Sequence, residues 1–131
     1  MNAEIISVGT ELLLGQVVNL DTAIVAQELS ALGIDLLYSA VVGDNVERLR
    51  HAVNTALSRS GLLIMTGGLG PTTDDLTKET TAACAGKKLA LHQPSLERIQ
   101  NYFNEKHVSE NQEKQAWLPE GCHVFQNDNG T

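Results

Sequence analysis

Apolar positions along this chain come in short blocks punctuated by glycine. Residues 4–8 form a β-branched run that stops at Gly9, the pattern of a buried strand. Over residues 19–32 the spacing changes. Leu20, Ile24, Val25, Leu29 and Leu32 recur at helical intervals, with Asn19 or Asp21 to cap the start and Gly33 to close the end. A second apolar run, 34–42, ends at Gly43. Asp44 and Glu47 then read as a capping box, with Asp44 as the N-cap. The helix that follows carries Val46, Leu49, Val53 and Leu57 on one face and ends at Gly61. A third strand over 62–65 runs into Thr66-Gly67-Gly68-Leu69-Gly70-Pro71.

Further helices are expected over 74–85, closed by Gly86, and from Pro94 or Ser95, with Leu96, Ile99 and Phe103 inward. Residues 104–115 are polar, a frayed helix end or a surface loop. Trp117-Leu118-Pro119 starts a new segment, and 122–125 reads as a short strand. Strands alternating with helices imply parallel strands joined by right-handed crossovers. The expected fold is therefore α/β, a three-layer α/β/α sandwich with a mostly parallel sheet, in one domain over 1–131. Asn129-Gly130-Thr131 is turn chemistry with little after the last expected strand, which predicts a domain cut short at its C-terminus.

Composition narrows the function. With 42% apolar and 19% charged residues, the chain can bury a core. Its net charge of −7 and lack of a Lys/Arg cluster argue against a nucleic-acid or anionic-membrane partner. The N-terminus has no basic region followed by a long apolar one, and no apolar stretch approaches the ~20 residues of a membrane span. A cytoplasmic protein is expected. Cys84 and Cys122 are too few for a disulfide framework or a Cys-based zinc site and are expected to be reduced thiols. The histidines His51, His92, His107 and His123 have no metal-ligand spacing.

In an open parallel sheet, ligands bind beyond the carboxyl ends of the strands. Three loops emerge there: one at Gly9-Thr10-Glu11, one at Gly43-Asp44-Asn45, and one over residues 67–75. In the third, Gly67, Gly68 and Gly70 let backbone approach a ligand closely, and the loop leads toward a helix N-terminus, which favours an anion. It is neither a P-loop nor a dinucleotide fingerprint. Thr72-x-x-Asp75 fits a capping box, which accounts for one aspartate. The adjacent pair Asp74 and Asp75 would repel a phosphate unless a divalent cation lay between them, so a metal-bridged phosphate is expected. Carboxylate ligands suit Mg²⁺, with Mn²⁺ and Co²⁺ open. Glu11 is either a solvated loop residue or a contact to a ribose hydroxyl or a metal. Thr10 could donate to a phosphate, and Asp44 reads as a cap rather than a ligand.

The strings SVGTELLLGQ (7–16), VVGDN (41–45), TGGLGPTTDDLT (66–77) and EKQAWLPEG (113–121) resemble the competence/damage-inducible protein A (CinA) family. The likeness is to its N-terminal domain, which is similar to molybdopterin-binding (MoaB/MogA-like) domains, and it covers nearly the whole chain. It implies a metal-dependent ADP-ribose pyrophosphatase that yields AMP and ribose 5-phosphate. A non-catalytic pterin- or nucleotide-binding module and an adenylyl transferase stay open. The motif positions implied for the site are Thr10, Glu11, Gly67, Gly68, Gly70, Thr72, Asp74 and Asp75, with Asn111, Lys114 and Gln115 added by the resemblance alone. Lys114 would pair with a phosphate oxygen. The partner would be a nucleotide or a pterin phosphate, and related domains are commonly homo-oligomers. The chain departs from the family pattern at Asn127-Asp128-Asn129-Gly130-Thr131, where Asn-Pro-x-Gly-Thr is usual, and nothing of the family's amidase domain is present. Loss of the segments that usually follow would expose a sheet edge and favour self-association.

Overall fold

A computed structural model describes residues 1–129; Gly130 and Thr131 of the expected terminal turn lie outside them. The chain divides into two compact units, Met1–Gly68 and the unit that begins at Leu69.

The first unit is built on β1 (Asn2–Val8), flanked by β2 (Asp35–Val42) and β3 (Leu62–Thr66) in the order β2-β1-β3. Both pairings are parallel, Ile5 facing Ser39 on one side and Ile64 on the other. The crossovers run through α2 (Leu20–Ala31) and α3 (Val46–Arg59), after a short α1 (Thr10–Leu13). The first runs from β1 to β2 and the second from β2 back across β1 to β3, so they move in opposite directions along the sheet. Right-handed connections must then place α2 and α3 on opposite faces. Side-chain parity agrees. Ala3 and Ile5 pack with Val25 and Leu29 of α2, whereas Glu4, one residue out of phase, meets Arg59 of α3. The expected layering of helix, parallel sheet and helix is present in this unit.

β1 is buried from Ala3 to Val8, and that buried stretch contains two polar residues, each fully engaged. Ser7 Oγ accepts from Asn19 Nδ2 at 2.9 Å and from Thr66 Oγ1 at 3.1 Å, and it lies 3.1 Å from Thr22 Oγ1. One donor and two lone pairs are thereby used. This cluster ties the start of α2 to the ends of β1 and β3. Glu4 takes two bonds from Arg59, Nε to Oε2 at 3.0 Å and Nη2 to Oε1 at 2.7 Å, and a third from Ser60 Oγ at 3.1 Å. The Arg59 guanidinium also stacks 3.6 Å from the centre of the Tyr38 ring. The Arg59 bonds hold the Glu4 carboxyl below its usual range, and outweigh the opposing effect of burial.

Several expectations are corrected here. The N-cap of α3 is Asn45, whose side chain accepts from Arg48 N, and not Asp44. The buried face of α3 is Leu49, Val53 and Ala56, with Leu57 turned outward. In α2 only Leu29 is buried, with Val25 half-buried beside it against β1, while Leu20, Ile24 and the C-cap Leu32 are exposed. The Asn19 cap and the Gly33 stop, at φ 71°, are as expected.

The second unit holds α4 (Thr77–Cys84), β4 (Leu89–Leu91), α5 (Gln93–Phe103), α6 (Glu110–Lys114) and β5 (Trp117–Pro119). β4 and β5 pair antiparallel, which the sequence pattern did not anticipate. α4 starts at Thr77, not at residue 74, because Thr72 and Asp75 close a turn before it. α5 is capped by His92, whose Nδ1 accepts from Ser95 N. Ser109 and Gln112 form a complete capping box for α6 inside the stretch expected to be irregular. Residues 122–125 form no strand; the chain turns at Gly121, φ 75°, and continues without a ladder partner among the described residues. Cys84 and Cys122 are not bridged, and no helix among the described residues is long and apolar enough to cross a membrane.

A Glu4 carboxyl held low in the folded state contributes stability above its unfolded value, near 4.5, and loses it as pH falls through the folded value. Glu4→Gln should therefore lower the melting temperature at pH 7 and flatten its decline between about pH 5 and pH 3. Thermal melts across that range check this; a decline as steep as the parent's would contradict it.

Candidate functional site

The carboxyl ends of β1, β2 and β3 carry the loops expected to bind ligand. After β1 and β2 the two loops are locked together. Thr10 N and Thr10 Oγ1 both donate to Asp44 Oδ2, at 3.1 and 3.0 Å, and Asp44 N donates back to Thr10 Oγ1 at 3.1 Å. Gly43 sits beneath this exchange: a Cβ there would come within 3.2 Å of Leu13 Cδ1 and 3.3 Å of Thr10 Oγ1. The Thr10 hydroxyl proton is thus committed to Asp44, and donation to a phosphate would require giving that bond up. Glu11, in α1, is exposed, and its carboxylate folds back over Gly9.

After β3, Gly67 and Gly68 both have positive φ, 78° and 64°. At Gly67 the need for glycine is twofold. The left-handed backbone is unfavourable for any L side chain, and a Cβ would overlap the carbonyl oxygen of Val8. This contact fixes where the glycine loop leaves the sheet.

The acidic loop belongs to the second unit and is organised from within. Asp75 Oδ2 accepts from Thr72 N at 2.9 Å and from Thr72 Oγ1 at 2.7 Å, and Asp75 N returns a bond to Thr72 O at 3.3 Å. The carboxylate lies over Gly70, where a Cβ would stand 2.7 Å from Oδ2. Burial pushes the Asp75 carboxyl upward, but the Thr72 bonds, the Gly70 backbone and the Lys114 charge outweigh it, and the group is held below its usual range. Lys114 Nζ donates to the carbonyls of Thr72, at 2.9 Å, and Asp75, at 2.5 Å. Behind it, Lys78 Nζ donates to the carbonyl of Lys114 at 2.5 Å, and Glu79 lies 3.8 Å from both ammonium groups. Burial depresses the Lys78 pKa, aided by Lys114 and opposed by Glu79.

Thr72, Asp75 and Lys114 are therefore brought together, with Asp74 exposed beside them. Gln115 is the C-cap of α6 and half-buried, and Asn111 is exposed on that helix. Thr10 is joined to Asp44 instead. Two positions were missed as site elements. Asp44 was read as a helix cap. Lys78 stands at the second position of a helix, where acids are favoured, and that local mismatch was its signal.

The donors suit a hard divalent cation that takes part of its shell from substrate. Such ions are commonly held by one or two carboxylates with phosphate oxygens and water. Asp74 offers an exposed carboxylate next to one whose position is fixed. Among the described residues no three or more His, Cys, Asp or Glu cluster so as to hold a metal ion.

Residues 4–126 match the family described as probable molybdopterin binding domain. A CinA-like protein of Desulfovibrio desulfuricans is 54% identical over 131 residues, covering 100% of this chain and 31% of its own length. The solved structure of CinA from Thermoplasma acidophilum superposes with a TM-score of 0.92 at 33% identity, over 98% of this chain and 76% of that one. A solved structure of MogA gives 0.59 at 26% identity, over 63% and 55%. The chain belongs to the probable molybdopterin binding domain family and, within it, to the CinA proteins. It spans about a third of the length of the curated relatives it matches.

Gly67→Ala should destabilise the chain by about 2 kcal/mol or more, from the left-handed backbone and the Val8 overlap together, and Gly68→Ala by about 1–2 kcal/mol. Urea unfolding checks both; equal stabilities for Gly67→Ala and the parent would contradict the contact.

Proposed function

We propose that the domain hydrolyses a nucleotide diphosphate linkage with the help of a divalent metal, ADP-ribose being the substrate and AMP and ribose 5-phosphate the products. The observation that carries this reading is the contrast between the two adjacent aspartates. Asp75 is pinned by Thr72 and by a loop backbone that Lys114 holds, whereas the Asp74 carboxylate has no hydrogen-bond or ion-pair partner among the described residues. When bound, a Mg²⁺ ion at the pair would neutralise the diphosphate and lower the pKa of a bound water. Asp74 and Asp75 would hold it. Thr72 and Lys114 keep the pair in register, so little reorganisation is needed as charge develops on the phosphoryl oxygens. Lys114 acts here on the loop backbone, with two of its three protons on carbonyls.

A second reading is favoured by the family description: a module that binds a pterin or nucleotide phosphate without turning it over. The two differ in the fate of the ligand. Incubation with ADP-ribose and Mg²⁺, followed by chromatography, should yield AMP in the absence but not the presence of EDTA. Asp74→Asn should reduce turnover about 100-fold or more while leaving the melting temperature near the parent's, as expected for an exposed carboxylate. ADP-ribose that raises the melting temperature yet is recovered intact would support the binding module. AMP release untouched by EDTA or by Asp74→Asn would contradict the metal role.

A further inference from the structure

The acidic loop is held by a relay of two lysines, Lys114 on the loop backbone and Lys78 on the Lys114 carbonyl. Lys78 lies in the first turn of α4, immediately after the loop it follows in sequence. Its side chain reaches the carbonyl of Lys114, the last residue of α6, 36 positions away. That carbonyl belongs to a helix end, where backbone acceptors have no partner in the helix. The Lys114 ammonium then returns to the carbonyls of Thr72 and Asp75. Both side chains are mostly shielded, 15% exposed for Lys78 and 25% for Lys114. A shielded ammonium is costly unless its donors are used; Lys78 uses one on backbone and Lys114 two. One carboxylate, Glu79, stands 3.8 Å from each and moderates their mutual repulsion.

We propose that Lys78 is a positioning residue for the acidic loop: by fixing the C-terminal end of α6 it sets the reach of Lys114, and through Lys114 the placement of Thr72 and Asp75. The catalytic part of this inference rests on the function proposed above, but the placement itself does not. Loss of the Lys78 bond would free the last turn of α6, let Lys114 drift from the two carbonyls, and loosen the turn that orients the aspartates. Reacting groups displaced by about 1 Å commonly lose up to about 100-fold in rate.

The test compares Lys78→Met with Lys78→Arg, the first removing the charge at similar length and the second restoring a donor. Amide hydrogen exchange is followed at Thr72, whose N–H bonds Asp75, and at His92, whose N–H bonds Ala116 between β4 and β5. The proposal expects exchange at Thr72 to rise about tenfold in Lys78→Met, with His92 nearly unchanged, and to fall back in Lys78→Arg. Equal acceleration at both amides would show general destabilisation and overturn it, as would no change at Thr72. Where the parent turns over ADP-ribose, Lys78→Met should lower kcat about tenfold or more with KM within about threefold. An unchanged kcat would overturn the catalytic part. A parent chain that leaves ADP-ribose intact would defeat the proposed function instead, and the exchange result would still decide the role of Lys78.

Discussion

Burial of β1 on both faces is the constraint from which the first unit follows. A strand covered on two sides needs a helix on each, and the order β2-β1-β3 with right-handed crossovers supplies them. It also needs every polar group satisfied. Glu4 and Ser7 break the apolar run, and each is saturated with bonds that serve a second purpose. Glu4 anchors the last turn of α3 through Arg59 and Ser60. Ser7 binds the start of α2 and the end of β3, close to the point where the glycine loop departs. The close pass of Gly67 over the Val8 carbonyl completes that end of the sheet. The strand's burial and the geometry of its loops are one arrangement.

In the second unit the same economy of bonds appears without a large core. Two acids in succession are unfavourable neighbours. Their loop is stabilised by bonds from Thr72 to one carboxylate and by two lysines acting on the backbone. Positive charge is thus placed behind the loop while Asp74 remains exposed in front. The proposal of a metal-bound diphosphate ligand rests on this arrangement.

Much of the fold was legible because its signals are local. The strands expected over 4–8, 34–42 and 62–65, found at 2–8, 35–42 and 62–66, and the Asn19 cap and Gly33 stop follow from periodicity and end residues. Where reading failed, the deciding contact was distant or the pattern ambiguous. Asp44 and Asn45 can both cap a helix; Asn45 does so because Asp44 is held by Thr10, 34 positions away. Thr72 and Asp75 were legible as a bonded pair, but not as a turn that ends before α4 begins. β4 and β5 are three residues each, too short for alternation to show. Ser109-x-x-Gln112 is a capping-box spacing that polar surroundings concealed. In the candidate site, Lys114 is implied by resemblance as a phosphate ligand, and in the structure it donates two bonds to the loop backbone, a contact 39 and 42 positions away that no local pattern signals.

The proposed function requires the acidic loop to receive an anion together with its metal. Titration calorimetry of ADP-ribose into this chain, with and without Mg²⁺, tests it most directly. Binding in Mg²⁺ should weaken at least about tenfold in EDTA, a coupling of about 1.4 kcal/mol or more. Equal affinity in the two conditions would contradict it.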